Sequence, residues 1–437
     1  MVFKNRKVTV VGLGKSGFAA AKFLHAQKAL VRVTESSEKK EALENADYLR
    51  GLGIAVETGG HTEAFIKGSA CVVTSPGVSH KSAPLEWARK KKIPIISEVE
   101  LASLFCKGRI VGVTGSNGKT TTCHMIYRVL TEAGRDAVLC GNVGVAFLDT
   151  LASVSRGTVV VLELSSFQLE DCPTLRPDIA VVLNIHPNHL DRHGDIETYA
   201  LAKENIFRSQ KKTDLLVLNA DDPRVRAMAQ RAASSVVFFS AQDKSLFRPE
   251  YCALKGEHNF SNMMAVSMVA RRLRVPAQKI RKTLESFTTL AHRIEPVGEV
   301  GGVYFVNDSK STTVDSTRMA LLTVKSPIVL IAGGRDKGVP FAQLEGLLRE
   351  KLRAAIVYGE ARERIAECWK ALPCVRVEKD FRTAVQRAYA EAKPGDTVLL
   401  SPMCTSFDQF NSFEERGEMF RRLVKELACL PAGRAAR

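Results

Sequence analysis

Along this chain of 437 residues, short apolar runs alternate with helix-length amphipathic stretches from one end to the other. Lys7–Val11, Leu30–Thr34, Ala70–Val73, Thr158–Leu162 and Ile179–Leu183 are rich in valine, leucine and isoleucine, with few polar breaks. Strands apolar on both faces belong in a parallel sheet covered by helices on either side. The pattern therefore predicts an α/β fold with mainly parallel sheets. Helices are expected to begin at Phe18 and at Thr121, the second running to Leu130. A single core seldom grows beyond roughly 250–300 residues, so two or three domains are expected.

Three of the strands run straight into glycine, at Lys7–Gly12, Ile110–Gly115 and Pro327–Gly334. Each reads as the opening of a separate nucleotide- or phosphate-handling sheet, which places boundaries near residues 100 and 290 and gives segments 1–100, 101–289 and 290–437. In the first segment, Gly12-Leu-Gly14-Lys15-Ser16-Gly17 is followed about 20 positions on by Glu35, the spacing of a dinucleotide-binding turn. Alone, that motif suggests NAD, but the same turn accepts any nucleotide diphosphate. Thr74-Ser75-Pro76-Gly77 follows another strand and either lines the same crevice or is a plain Pro-Gly turn.

The second segment carries the most specific motif, Val113-Thr-Gly115-Ser116-Asn117-Gly118-Lys119-Thr120-Thr121. A strand, a glycine-rich loop and a Lys-Thr pair opening a helix form a phosphate cradle. Backbone N–H groups face the phosphates, Lys119 neutralises them, and the Thr120 hydroxyl can ligate Mg²⁺. The loop departs from the full P-loop pattern, because Val113 stands at its first glycine. Glu163, at the end of the strand that opens Glu163-Leu-Ser-Ser-Phe-Gln168, is where a carboxylate ligand for a phosphate-bound metal is needed. His186, His189 and His193 lie within eight residues but at no preformed zinc spacing, and His186 and His193 are read as incidental.

Charge alters this picture little. The balance of 63 Lys+Arg against 47 Asp+Glu gives +16, but the cations are dispersed and no aromatic-interleaved basic stripe occurs. Phosphorylated small molecules are the expected partners, and nucleic acid is not. The ten cysteines form no CxxC pair and are expected to be reduced packing residues. No apolar run approaches the roughly 20 residues that span a bilayer. The first residues pass from a basic stretch directly into a strand, so neither a secretory leader nor membrane insertion is expected, and the cytoplasm is the expected compartment.

Thr114-Gly-Ser-Asn-Gly-Lys-Thr-Thr121, Glu163-Leu-Ser-Ser-Phe-Gln-Leu-Glu170 and Leu183-Asn through His189-Leu-Asp-Arg-His-Gly194, in that order and spacing, resemble the Mur ligase family. These enzymes build the peptide stem of peptidoglycan, and the resemblance covers essentially the whole chain. It implies an N-terminal Rossmann-like domain for a UDP-linked substrate, a central P-loop ATPase-type domain, and a C-terminal Rossmann-like domain for the incoming amino acid. It implies ATP, two Mg²⁺ ions, and CO₂ carried as a carbamate on Lys203. Metal ligands would be Thr120, Glu163, His189 and Lys203, and the catalytic set Lys119, His189, Lys203 and Arg293. Asn259 and Asn262 of the stretch Gly256-Glu-His-Asn-Phe-Ser-Asn262 would join Gly115–Thr121, Arg293 and Asp308 around ATP. Gly14, Lys15, Ser16, Glu35, Ser75, Gly77, Asn142, Ser165 and Gln168 would hold the UDP-linked substrate.

Asn307-Asp308-Ser309-Lys310-Ser-Thr312, Gly333-Gly-Arg-Asp-Lys337-Gly and Leu400 through Ser406-Phe-Asp-Gln-Phe to Phe413 and Arg416-Gly resemble the branch that adds glutamate to UDP-N-acetylmuramoyl-L-alanine. The resemblance implies D-glutamate as acceptor, held by Lys310, Thr312, Lys337, Ser406 and Phe413. It also implies a monomer, an acyl-phosphate intermediate, and domain closure that carries glutamate to it. The chain departs from the pattern at Asn188, where many relatives have aspartate, and at His186, Ser311 and Thr313.

Overall fold

The structure, a computed structural model, describes residues 3–142, 144–188, 190–288, 291–336, 340–372 and 374–429. The expected positions His189 and Lys337 lie outside the described residues. Contacts divide the chain into two compact units, Met1–Phe287 and Thr288–Arg437.

The first unit contains two sheets. One is built from β1 (Lys7–Val11), β2 (Leu30–Thr34), β3 (Ala55–Glu57), β4 (Cys71–Thr74) and β5 (Ile95–Ser97), in the order β3-β2-β1-β4-β5. All its pairings are parallel. Strand order reverses between β1 and β4, and a doubly wound sheet opens a ligand crevice at such a point. The other sheet comprises β6 (Arg109–Thr114), β7 (Ala137–Gly141), β8 (Val159–Glu163), β9 (Ile179–Val182), β10 (Leu215–Asn219) and β11 (Ser235–Phe239). Its order, β11-β10-β9-β6-β8-β7, places β6 between β8 and β9. Residues that follow β6, β7, β8 and β9 therefore gather at one edge. β8 and β9 are buried along their whole lengths, Val159–Glu163 and Ile179–Val182, as their uninterrupted apolar runs require.

Helix starts are set by the glycines. The helix after β1 runs Lys15–Ala26, beginning three residues before the expected Phe18, because Gly14 is already its N-cap. The helix after β6 runs Lys119–Glu132 and starts from Gly118 at φ 82°, so Lys119 and Thr120 occupy its first turn rather than the loop. There the exposed N–H groups of the helix end are available to an anion.

The second unit holds β12 (Glu295–Val300), β13 (Val303–Asn307), β14 (Ile328–Gly333), β15 (Leu352–Tyr358), β16 (Val375–Val377) and β17 (Thr397–Met403), in the order β12-β13-β17-β14-β15-β16. Among the described residues the edge pair β12–β13 is the one antiparallel strand pair, with an isolated antiparallel bridge between Arg335 and Thr405. All ten cysteines are free thiols, six of them buried. Among the described residues no helix is long and apolar enough to cross a membrane.

Candidate active site

The crevice of the first sheet is a cavity of about 520 Å³, lined from three strand ends. Gly12, Gly14, Lys15 and Ser16 follow β1; Glu35 and Ser36 follow β2; Ser75, Pro76 and Gly77 follow β4. Two glycines are forced by contact. A Cβ on Gly17 would sit 1.9 Å from the Gly12 carbonyl oxygen, and Gly12 itself has φ 92° with Ser75 and Val78 pressed against it. Gly14, by contrast, faces open space. The Ser75 hydroxyl donates to the Gly12 carbonyl at 3.1 Å, tying the two turns together. Glu35 is engaged within the protein: its carboxylate accepts from Leu13 N–H at 2.5 Å and from Ser37 N–H at 2.7 Å. It therefore braces the glycine turn from beneath.

The second sheet assembles the phosphate loop. Gly115 and Gly118 adopt φ 151° and 82°, and a Cβ on Gly118 would lie 2.6 Å from Asn262 Oδ1. Asn262, from the helix Glu257–Arg272, thus packs directly on the loop, while Asn259 donates to the Lys255 carbonyl at 2.8 Å. Asn184 pins the loop from β9, its Oδ1 accepting from Asn117 N–H at 2.8 Å. Ser116 N–H donates to the Asn184 carbonyl, and its hydroxyl joins His186 backbone and the Tyr199 hydroxyl. Lys119 Nζ folds over the loop to the carbonyls of Gly115 (2.8 Å) and Ser116 (2.9 Å). Thr120 and Thr121 are buried beside it.

Two buried groups stand out at this edge. Glu163, 2% exposed, accepts from Asn142 Nδ2 at 3.0 Å through Oε1, whereas its Oε2 has no hydrogen-bond partner among the described residues. A buried carboxylate oxygen without a donor carries a desolvation cost that a cation would relieve. Lys203, 1% exposed on the helix Ile196–Glu204, lies over the Tyr199 ring and donates to the Gly115 carbonyl at 3.0 Å. Burial, reinforced by the Lys119 charge and opposed by Glu163, holds its ammonium well below the usual lysine range. Such a shift favours the deprotonated, nucleophilic form of the amine. Oxygen donors beside a phosphate loop suit a hard divalent cation, so Glu163 and Thr120 fit Mg²⁺, and a carbamate on Lys203 would add further oxygens. Among the described residues no three His, Cys, Asp or Glu side chains cluster as a metal site.

Some expected residues are used locally. Ser165 and Gln168 form a reciprocal capping box at the start of the helix Ser166–Glu170, and Gln168 is buried. His193 stacks on Phe167, bonds Ser166, and meets Glu170 at 3.2 Å, so it serves packing. His61, which loop position alone does not distinguish, lines the first crevice.

In the second unit, Asp308, Lys310 and Thr312 follow β13, Asp336 follows β14, and Ser406 follows β17. Asp308 is buried and accepts from the Ser401 hydroxyl at 2.8 Å and Ile294 N–H at 3.2 Å. Burial pushes its carboxyl up to about 6, against those hydrogen bonds and the nearby Arg293 charge. Lys310 Nζ lies 5.1 Å from the Phe413 ring centroid, and Ser406 is buried. Arg416, wholly buried, ties the segments together, bonding Ser309 at 2.8 Å and 2.9 Å and the Cys404 carbonyl at 3.3 Å. Ser309 in turn donates to the Phe413 carbonyl.

A phosphate-binding loop with a buried carboxylate and a buried lysine, on one of three α/β sheets, defines a nucleotide-dependent group-transfer enzyme. The chain belongs to the Mur ligase family. Residues 6–97 match the Mur ligase MurD-like N-terminal domain, 113–270 the Mur ligase middle domain, and 292–404 the Mur ligase glutamate ligase domain. It is 40% identical to UDP-N-acetylmuramoylalanine--D-glutamate ligase of Koribacter versatilis over 449 residues, covering 98% of this chain and 99% of that one. The enzyme of the same name from Acidobacterium capsulatum is also 40% identical, with 97% of each chain covered. MurF ligase of Thermotoga maritima, solved in complex with ADP, shares the fold at 21% identity and a TM-score of 0.59, covering 97% of this chain and 96% of that one.

Proposed function

We propose that this enzyme joins D-glutamate to the alanyl carboxyl of UDP-N-acetylmuramoyl-L-alanine, with ATP cleaved to ADP and phosphate. The crevice of the first sheet takes the UDP moiety, with phosphates at the Gly12–Ser16 turn and the helix end behind it. Gly115–Thr121 cradles the ATP phosphates. An alanyl carboxylate oxygen bonds to the γ-phosphorus as the bond to ADP breaks, giving an acyl phosphate. The glutamate amine then bonds to that carbonyl carbon, losing a proton, and phosphate leaves with the bonding pair.

Phosphoryl transfer asks chiefly for position and positive charge, and Lys119 supplies both from the first turn of its helix. When bound, Mg²⁺ neutralises the phosphate oxygens; Thr120 and Glu163 would hold one ion, and His189 with a carbamylated Lys203 a second. Lys310, Thr312, Lys337, Ser406 and Phe413 take the glutamate, whose two carboxylates need cationic and hydroxyl donors. The observation that carries this reading is Lys203, buried with Nζ 3.0 Å from the loop carbonyl of Gly115 and its ammonium held well below the usual lysine range, together with a Glu163 oxygen that has no hydrogen-bond partner among the described residues.

Phosphate release from ATP tests it. Release should require both the UDP-muramoyl-alanine and D-glutamate together. Equal release with alanine or a diamino acid in place of glutamate would overturn the acceptor assignment.

A further inference from the structure

The first crevice has a residue that neither the glycine turn nor the family motifs require. His61 lines it, half-buried, on the loop between β3 and the helix Glu63–Ile66. Its position is fixed from three sides. Nδ1 lies 2.6 Å from the hydroxyl of Thr34, the last residue of β2 and wholly buried. Next to it, Thr62 N–H and Oγ1 both donate to the Glu57 carboxylate, at 3.0 Å and 2.7 Å. On the other side, Gly60 N–H reaches the Glu35 carbonyl. A loop clamped this firmly presents its imidazole as a fixed edge rather than a mobile side chain.

The Thr34 hydroxyl has no other hydrogen-bond partner among the described residues and pairs with Nδ1, which it can serve as donor. With Thr34 donating, the ring proton sits on Nε2, which has no protein partner among the described residues. Position along the ligand follows from the strands. The Gly12–Ser16 turn and its helix take the phosphates, so the end of β2, where dinucleotide folds hold the ribose, is the nucleoside end. Glu35 there accepts from the Leu13 and Ser37 N–H groups, and His61 lines the crevice beyond it with Nε2 open among the described residues.

We infer that His61 is a specificity-determining residue that reads the nucleobase of the nucleotide substrate, its Nε2–H donating to a pyrimidine carbonyl. This rests on the proposed use of the crevice for a UDP-linked substrate. A base presenting a carbonyl satisfies the donor, whereas one lacking it leaves a half-buried N–H unpaired.

Competition by UDP and by ribose 5-diphosphate, each against the UDP-linked substrate, tests the inference with the full-length enzyme. His61→Leu should raise the inhibition constant of UDP about tenfold, the loss expected for one hydrogen bond at a partly buried site. His61→Gln, which keeps a donor, should recover part of that. The constant for ribose 5-diphosphate, kcat, and the KM values for ATP and glutamate should stay unchanged. An unaltered UDP constant in His61→Leu would overturn the inference alone, as would equal weakening of ribose 5-diphosphate. Failure of UDP to compete with the unsubstituted enzyme would overturn both the inference and the assignment of the crevice.

Discussion

Replacing Glu98 by glutamine removes a buried carboxyl while keeping the acceptor that Leu148 N–H uses at 2.7 Å. Glu98 opens the helix Glu98–Ser103 after β5 and caps the short helix Phe147–Thr150, which follows the Asn142 turn of the second sheet. It is 2% exposed, and burial, aided by Asp149 and opposed by the Leu148 and Phe147 N–H groups, raises its carboxyl from 4.5 to about 7. The folded protein thus holds this proton more tightly than the unfolded chain. Below the unfolded value both states are protonated and nothing is lost. As pH rises toward the folded value, the unfolded chain ionises freely and stability falls; above it the loss is complete, at about 3 kcal/mol. Glutamine cannot ionise, so the stability of Glu98→Gln relative to the parent should rise by about 2.5 kcal/mol between about pH 5 and about pH 8. Urea denaturation of both proteins at the two pH values measures this, and taking the difference cancels all other titrating groups. Parallel pH dependences would refute a neutral Glu98 at this joint.

Three other substitutions bear on the chemistry. Lys203→Ala should lower kcat by about a thousandfold or more, with part recovered by added acetate or propionate, whose carboxylates replace the carbamate oxygens; full activity in steady-state assays would remove that role. Glu163→Gln replaces an anionic oxygen by an amide, so the Mg²⁺ concentration for half-maximal phosphate release should rise about tenfold, and an unshifted Mg²⁺ titration would show that Glu163 is no ligand. Gly118→Ala adds a Cβ 2.6 Å from Asn262 Oδ1 at φ 82°, costing about 1–2 kcal/mol. Its KM for ATP should rise several-fold while that for the UDP-linked substrate holds; an unchanged KM for ATP would contradict the packing of Asn262 on the loop.

Strands were legible because burial on both faces writes an unbroken apolar run. β2 falls on Leu30–Thr34 as the pattern predicts, and β9 ends one residue before the expected Leu183. The phosphate loop was equally legible, since Gly115, Gly118 and Lys119 answer local needs of a turn and a helix start. Lys203 was not. Its burial is set by the loop carbonyl of Gly115, 88 positions away, as well as by Tyr199 one turn back on its own helix, and a lysine on a nine-residue helix looks the same in solvent or in a core. Glu35 shows the opposite limit: the acidic residue at the end of β2 was evident, but only three-dimensional placement reveals that it binds the Leu13 N–H. His61 left no sequence signal at all, because its meaning depends on Thr34, 27 positions away.

The central claim, that ATP activates the alanyl carboxyl before glutamate attacks it, is tested most directly by following oxygen. With UDP-N-acetylmuramoyl-L-alanine carrying heavy oxygen in its alanyl carboxylate, one labelled atom should appear in the phosphate released for each amide bond formed. Product formation with unlabelled phosphate would contradict the account.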